Sequence, residues 1–196
     1  MDWNAIGTCS PLEGRHVRLE PLALRHAEQL REATAGADAW SLWYASVPDA
    51  DEIAGAIDRR TAAGGLSEMT YAVVDRAGER AIGMTGYRAL DPLNRRLEIG
   101  GTWYADGHRR TPINTEAKLM LLAQAFDRLD CVAVELRTHY MDRIGRRAIE
   151  RLGAKLDGVL RSHVVALDGS LRDTCVYSVL ASEWPAVRSN LRSMLP

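Results

Sequence analysis

The feature that most limits how this chain can fold is a joint between two patterned segments. Residues 95–105, RRLEIGGTWYA, alternate apolar and polar side chains as a strand does, and the pair Gly100-Gly101 interrupts the run. A glycine pair inside a strand marks a bulge, or a place where another backbone or a ligand comes close. Shortly after it Thr111-Pro112 opens an apolar segment reaching Leu129, the longest helix in the sequence. Thr111 suits the N-cap, and Pro112 suits the first helical position, where a missing N–H loses nothing. This helix is apolar over much of its circumference and must be well buried.

The segments around this joint alternate in type. Val17 and Leu19 alternate with Arg18 and Glu20 over 16–22, a strand stopped at Pro21. Leu24, Ala27, Leu30 and Ala33 recur at three-residue steps and predict a helix over 24–35. The aromatic cluster Trp40, Trp43 and Tyr44 follows, then a helix over 52–62 with Asp49 or Asp51 as its cap. Strands over 69–76 and 81–90 meet through Ala77-Gly78-Glu79. After the long helix come a valine-rich strand over 131–140 and a helix over 144–152 ended by Gly153. A hairpin over 162–180 turning at Asp168-Gly169 and a short helix from Glu183 complete the order. The reading is an α/β fold with a mixed, mostly antiparallel central sheet. Residues 1–11 form an irregular lead-in and residues 12–196 a single domain, as the length of 196 suggests.

Charge narrows the function classes. Lys+Arg 25 against Asp+Glu 26 gives a net charge of -1, without the positive excess on which non-specific nucleic-acid binding relies. No run of about 18 apolar residues is present, so no membrane role is expected. Cys9, Cys131 and Cys175 are an odd number at spacings matching no zinc or redox motif, which fits a reducing cytoplasm. No two His or Cys fall at ligand spacing, and no metal is expected.

Chemistry concentrates at residues 107–118, GHRRTPINTEAK. The amides of Ile113, Asn114 and Thr115 point out of a helix start beside Arg109 and Arg110, an arrangement suited to phosphate or pyrophosphate. The plainer reading is an ordinary capped helix start with two solvated arginines. GxxxxGK[ST] is absent, so this is not a nucleotide P-loop.

The element order, together with LEGRHVRLEPL at 12–22, LEIGGTWY at 97–104, RRTPINTEAKLMLL at 109–122, AIERLGAKLDGVLRSH at 148–163 and DGSLRDTCVYSVLASEWP at 168–185, closely resembles the GNAT acetyltransferase superfamily, and within it the RimJ/RimL-like branch. The resemblance implies a sheet flanked by helices and split at a β-bulge by acetyl-CoA, with CoA as product. The family's loop [R/Q]-x-x-G-x-[G/A] aligns with Arg109-Arg110-Thr111-Pro112-Ile113-Asn114. Arg109 matches, while Pro112 replaces the glycine and Asn114 the small residue. Gly100-Gly101, followed by Thr102, Trp103 and Tyr104, lies where the pantetheine arm pairs with the splayed strand. The family's N-x-x-S reads here Asp142-Arg143-Ile144-Gly145; Asp142 keeps the cap role, and Gly145 lacks the hydroxyl.

Acetyl transfer to an amine calls for a base, and an acid can protonate the leaving thiolate. Glu98 matches the position from which related enzymes supply the base; the alternative is an ion pair with Arg88, Arg95 or Arg96. Glu135 reads as a structural ion pair. Tyr140 and His139 end their strand near the expected reaction centre, and the Tyr140 phenol is the acid candidate. His16, His26, His108 and His163 read as solvated or structural. The acceptor site is framed by Trp40, Trp43, Tyr44, Tyr87 and Arg161, with local core as the alternative for the aromatic cluster. The acceptor implied is a protein or peptide N-terminus, with a small-molecule amine such as an antibiotic or polyamine as the alternative. Pro112, Asn114, Asp142 and Gly145 also admit a non-catalytic acyl-CoA-binding protein. Relatives are commonly homodimers, and the Trp184 helix could contribute to such a contact.

Overall fold

The patterned segments become eight strands and five helices in the computed structural model, which describes residues 10–34, 47–63, 67–166 and 168–196. The strands are β1 (Leu12–Glu13), β2 (Val17–Pro21), β3 (Glu68–Asp75), β4 (Arg80–Asp91), β5 (Arg96–Tyr104), β6 (Ala133–His139), β7 (Lys155–Val165) and β8 (Leu171–Leu180). The helices are α1 (Ala27–Thr34), α2 (Ile53–Ala63), α3 (Pro112–Ala123), α4 (Arg143–Arg151) and α5 (Trp184–Ser193). One sheet runs β1-β2-β3-β4-β5-β6-β8-β7. Every neighbouring pair is antiparallel except β5 and β6. This is the mixed, mostly antiparallel sheet flanked by helices that the sequence predicts.

Each face of the sheet has its own core. Tyr71, Tyr87, Leu97, Ile99, Val134 and Tyr177 pack with Ala117, Leu121 and Leu122 of α3 and with Leu191 of α5. Leu30 of α1 and Ile53 and Ile57 of α2 pack on the opposite face against Ala72, Val74, Met84 and Trp103. Leu121 and Leu122 are fully buried, each stabilising the fold by about 1.5–3 kcal/mol. The long apolar segment stays helical beyond α3 through a wider turn at Gln124–Arg128, where the Leu129 amide bonds to the Gln124 carbonyl. Phe126 there stacks on Trp184 at 5.4 Å.

The first helix differs from its pattern. Residues Leu24–His26 form a 3₁₀ turn, Leu24 is 56% exposed, and His26 is buried in its place. The His26 ring accepts the Ala23 amide at Nδ1 and pairs with Glu20 through Nε2 at 3.1 Å, so its role is structural. For α2, Asp49 is the cap: its Oδ1 accepts the amides of Asp51 and Glu52. No helix among the described residues is long and apolar enough to cross a membrane.

Candidate active site

The parallel pair β5–β6 is held together over a short stretch, Arg96 opposite Ala133, Leu97 opposite Val134 and Glu98 opposite Glu135. Past Glu98 the strands part, leaving a V-shaped opening between the far ends of β5 and β6. On its other side β5 pairs with β4 through a bulge. Gly86 opposes Gly100 and Met84 opposes Trp103, so Thr85 alone faces Gly101 and Thr102. The extra residue inverts the side-chain alternation. Leu97 and Ile99 lie in the α3-side core, Trp103 lies in the α1–α2 core, and Tyr104 returns to the α3 side.

Each glycine of the pair has its own cause. Gly101 adopts φ +62, which favours a residue without Cβ. A Cβ on Gly100 would come within 2.6 Å of Glu98 Oε1, so the missing side chain makes room for that carboxylate. Glu98 thus sits at the apex of the V, its side chain 15% exposed. Burial raises its pKa against the pull of Arg137 and Arg88. Its ion pair, at 3.5 Å, is with Arg137 and not with Arg95 or Arg96. Glu135 accepts hydrogen bonds from Arg96 and Arg137 at 2.8 Å each, the structural role expected of it. Burial pushes its pKa up, and the two guanidinium groups reverse this, holding it below the ordinary value.

The loop into α3 keeps the helix start and alters its detail. Thr111 occupies the N-cap with extended backbone, yet its hydroxyl donates to the His108 carbonyl at 2.8 Å and caps nothing. Arg109 pairs with Asp106, and Arg110 takes a left-handed φ of +61. Ile113 is buried, and Asn114 Oδ1 accepts the Tyr104 hydroxyl at 3.1 Å, tying the helix start to the end of β5. Thr115 is buried and its hydroxyl accepts from Arg151. The amides of Ile113 and Asn114, in the first turn, have no intrahelical acceptor.

Across the V, Asp142 caps α4. Its Oδ1 accepts the Gly145 amide at 2.8 Å and its Oδ2 accepts the Thr138 hydroxyl at 2.6 Å. This also explains Gly145, because a Cβ there would overlap Asp142 Oδ2. The two departures from the family pattern are therefore one coupled change. His139 is buried, its Nδ1 accepts the Met141 amide, and burial lowers its pKa. Tyr140 is 47% exposed, with the Arg146 guanidinium 5.1 Å from its ring centre.

The acceptor candidates do not converge. Tyr87 is fully buried and donates to the Leu121 carbonyl at 2.7 Å, so it belongs to the core and does not line an open acceptor surface. Arg161 is exposed and paired with Asp173. Trp40, Trp43 and Tyr44 lie outside the described residues. The Trp103 side chain is core as well, which leaves only its backbone facing the V.

Three charged residues escaped the sequence reading. Glu116 accepts the backbone amides of Arg15, His16 and Val17 at 2.7–2.9 Å, fastening α3 to the start of β2. Lys118 is 4% exposed and donates to Thr85 Oγ1 at 2.9 Å and Thr102 Oγ1 at 2.6 Å, beneath the bulge. Burial lowers its pKa to about 7. Arg172 lies on β8. A signal for the first two was present: a helix apolar on most sides has no solvent for Glu116 and Lys118, so each needs a built partner. Among the described residues no group of three or more His, Cys, Asp or Glu could hold a metal.

Residues 16–155 match the family described as "Acetyltransferase (GNAT) domain". A GCN5-related N-acetyltransferase from Brucella melitensis is similar at TM-score 0.87 and 32% identity, over 95% of this chain and 86% of that one. A protein of T. thermophilus described as an acetyltransferase is similar at TM-score 0.84 and 32% identity, over 96% of this chain and 98% of that one. Mycobacterium smegmatis RimJ, solved with CoA-disulfide, shares the fold at TM-score 0.75 and 18% identity, over 91% of this chain and 88% of that one. No curated protein matches the chain.

Proposed function

This chain belongs to the GNAT acetyltransferase family, and on that premise we propose that it moves the acetyl group of acetyl-CoA to a primary amine by direct attack, in the manner of the RimJ/RimL-like branch. The observation that carries this reading is the V between β5 and β6 with the buried carboxylate of Glu98 at its apex.

The residues present suit the cofactor. The diverging strands leave backbone groups of β5 beyond Glu98 without a β6 partner, which fits an extended amide-bearing arm laid along the strand. The start of α3, with Ile113, Asn114, Arg109 and Arg110, suits a pyrophosphate. Bound acetyl-CoA supplies the activated acyl group. Glu98 takes a proton from the amine, and its raised pKa makes it a stronger base than an exposed glutamate. Amides at the bulge polarise the acyl oxygen. Tyr140, exposed near the end of β6, is the group that returns a proton to the leaving sulfur.

Calorimetric titration of acetyl-CoA against free CoA, followed by CoA release with a panel of amines, tests the reading. Micromolar binding, about -8 kcal/mol, with amine-dependent release is expected. No heat up to millimolar ligand, or binding without release for any amine, overturns it.

A further inference from the structure

The sheet face opposite α3 is covered by α1 and α2 over β3, β4 and the end of β5 at Trp103, leaving the start of β5 together with β6 and β8 outside that cover among the described residues. Val134, Leu136, Cys175 and Tyr177 point to the α3 side, so Glu98, Glu135, Arg137 and Arg172 share the open face. Each carboxylate there already has an arginine. Glu68, at the margin, is held by Arg60 at 2.8 Å and Arg88 at 3.5 Å; Arg96 and Arg137 hold Glu135, and Arg137 reaches Glu98. Arg172 is left over. It forms no ion pair with a described residue, and its Nε is buried with no hydrogen-bond partner. Its charge is nonetheless felt at Glu98 and, across the opening, at Asp142.

A guanidinium with a desolvated, unmatched N–H is costly to maintain, and its fork fits one kind of partner, a planar oxyanion. We propose that the acceptor is an amine bearing a carboxylate, held by Arg172 while its amine lies at Glu98. This deepens the acetyltransferase reading above and rests on it. Two sources share that chemistry: a free amino-acid-like amine, and the N-terminus of a peptide that begins with an acidic residue. A polyamine suits this face less well, since among the described residues its arginines outnumber its carboxylates and repel a polycation.

The test uses the full chain with acetyl-CoA and paired acceptors. An amino acid is compared with its amide, a peptide beginning with Asp is compared with one beginning with Asn, and spermidine is the polycationic control. Carboxylate-bearing acceptors are expected to show kcat/KM at least tenfold above their amides, and whichever pair shows the gap identifies the source. In Arg172→Gln, KM for the preferred acceptor rises about 10- to 100-fold with little change in kcat. Transfer to its amide changes far less than transfer to the acid, and the affinity for acetyl-CoA stays as it was. Arg172→Lys, which keeps the charge and loses the fork, recovers part of the difference and guards against misfolding of the glutamine variant. Equal transfer to acid and amide overturns the proposal, and so does acetyl-CoA binding with no transfer to any carboxylate-bearing probe. Failure of the wild type to bind acetyl-CoA instead brings down the acetyltransferase reading on which it rests.

Discussion

Replacing Lys118 by methionine should make the protein more stable in mild acid, and the gain should fade as pH rises. Lys118 is 4% exposed and its ammonium meets two hydroxyls and no carboxylate among the described residues. Burial drops its pKa from 10.5 to about 7, a differential cost of about 5 kcal/mol for the charged form. In the unfolded chain the lysine keeps its ordinary value. Below pH 7 both states carry the proton and the folded state bears the full desolvation cost. Between pH 7 and 10.5 the unfolded state holds a proton that the folded state has released, so stability rises with pH. Between pH 6 and pH 9 the wild type should gain about 3 kcal/mol on Lys118→Met, which lacks this titration. At pH 6 the variant should be the more stable by about 1–4 kcal/mol, the usual outcome when an apolar residue replaces a buried ion. Thr85 and Thr102 remain hydrogen-bonded to each other at 2.8 Å, which limits the loss. Urea denaturation of both proteins at pH 6 and pH 9 measures the gap. A gap that does not change with pH refutes the reasoning, because the ammonium would then be as well solvated inside as outside.

Glu98→Gln should lower kcat by about 100-fold or more while acetyl-CoA affinity is unchanged; in the wild type the acid limb of the rate profile should fall above the ordinary glutamate value of 4.5, because burial raises the pKa of the base. Gly145→Ser should displace the Asp142 carboxylate from the α4 amide, costing about 1 kcal/mol and about 2–4 °C in Tm, which a thermal melt reads directly. Glu20 is held down to about 2 by His26 and then by Arg25 and Arg18. Its contribution is complete above pH 4.5 and is lost as pH falls through about 2, so Glu20→Gln should cost about 1–2 kcal/mol at pH 7, discounted for partial solvent exposure, and progressively less as the pH is lowered to 2. Acid titration of the two proteins compares them.

Most of the architecture was legible because strand alternation and helix periodicity are local properties. The hairpin turn at Ala77-Gly78-Glu79, the proline start at Pro112 and the glycine end at Gly153 all fall where a single-sequence pattern places them. The failures come from residues whose roles depend on one specific partner group in the folded chain. Tyr87 reads as part of the acceptor site until α3 supplies the Leu121 carbonyl for its hydroxyl. Thr111 has the chemistry of a cap, but the preceding turn brings the His108 carbonyl to its hydroxyl. Gly145 looks like an unexplained loss of helix propensity until the Asp142 carboxylate is seen to fill the space of its Cβ. Leu121 lies 34 residues from Tyr87, beyond any helix or strand period, while His108 and Asp142 each stand three residues before their partner, where the spacing alone does not say which group fills the contact.

The bulge in β5 shows why the site is the hardest part to read. The same inserted residue that turns Thr102 toward Lys118 on the α3 side leaves Glu98 and the arginines on the other face. Before the bulge, odd-numbered residues face α3; after it, even-numbered ones do. A uniform alternation would place Thr102 on the face of Glu98, and its hydroxyl could not then reach Lys118. Gly101, with its left-handed backbone, is therefore the point on which both faces depend. A side chain there would strain φ and meet the guanidinium groups of Arg88 and Arg60 at 3.0–3.1 Å, disturbing the open face and the buried Lys118 contact together.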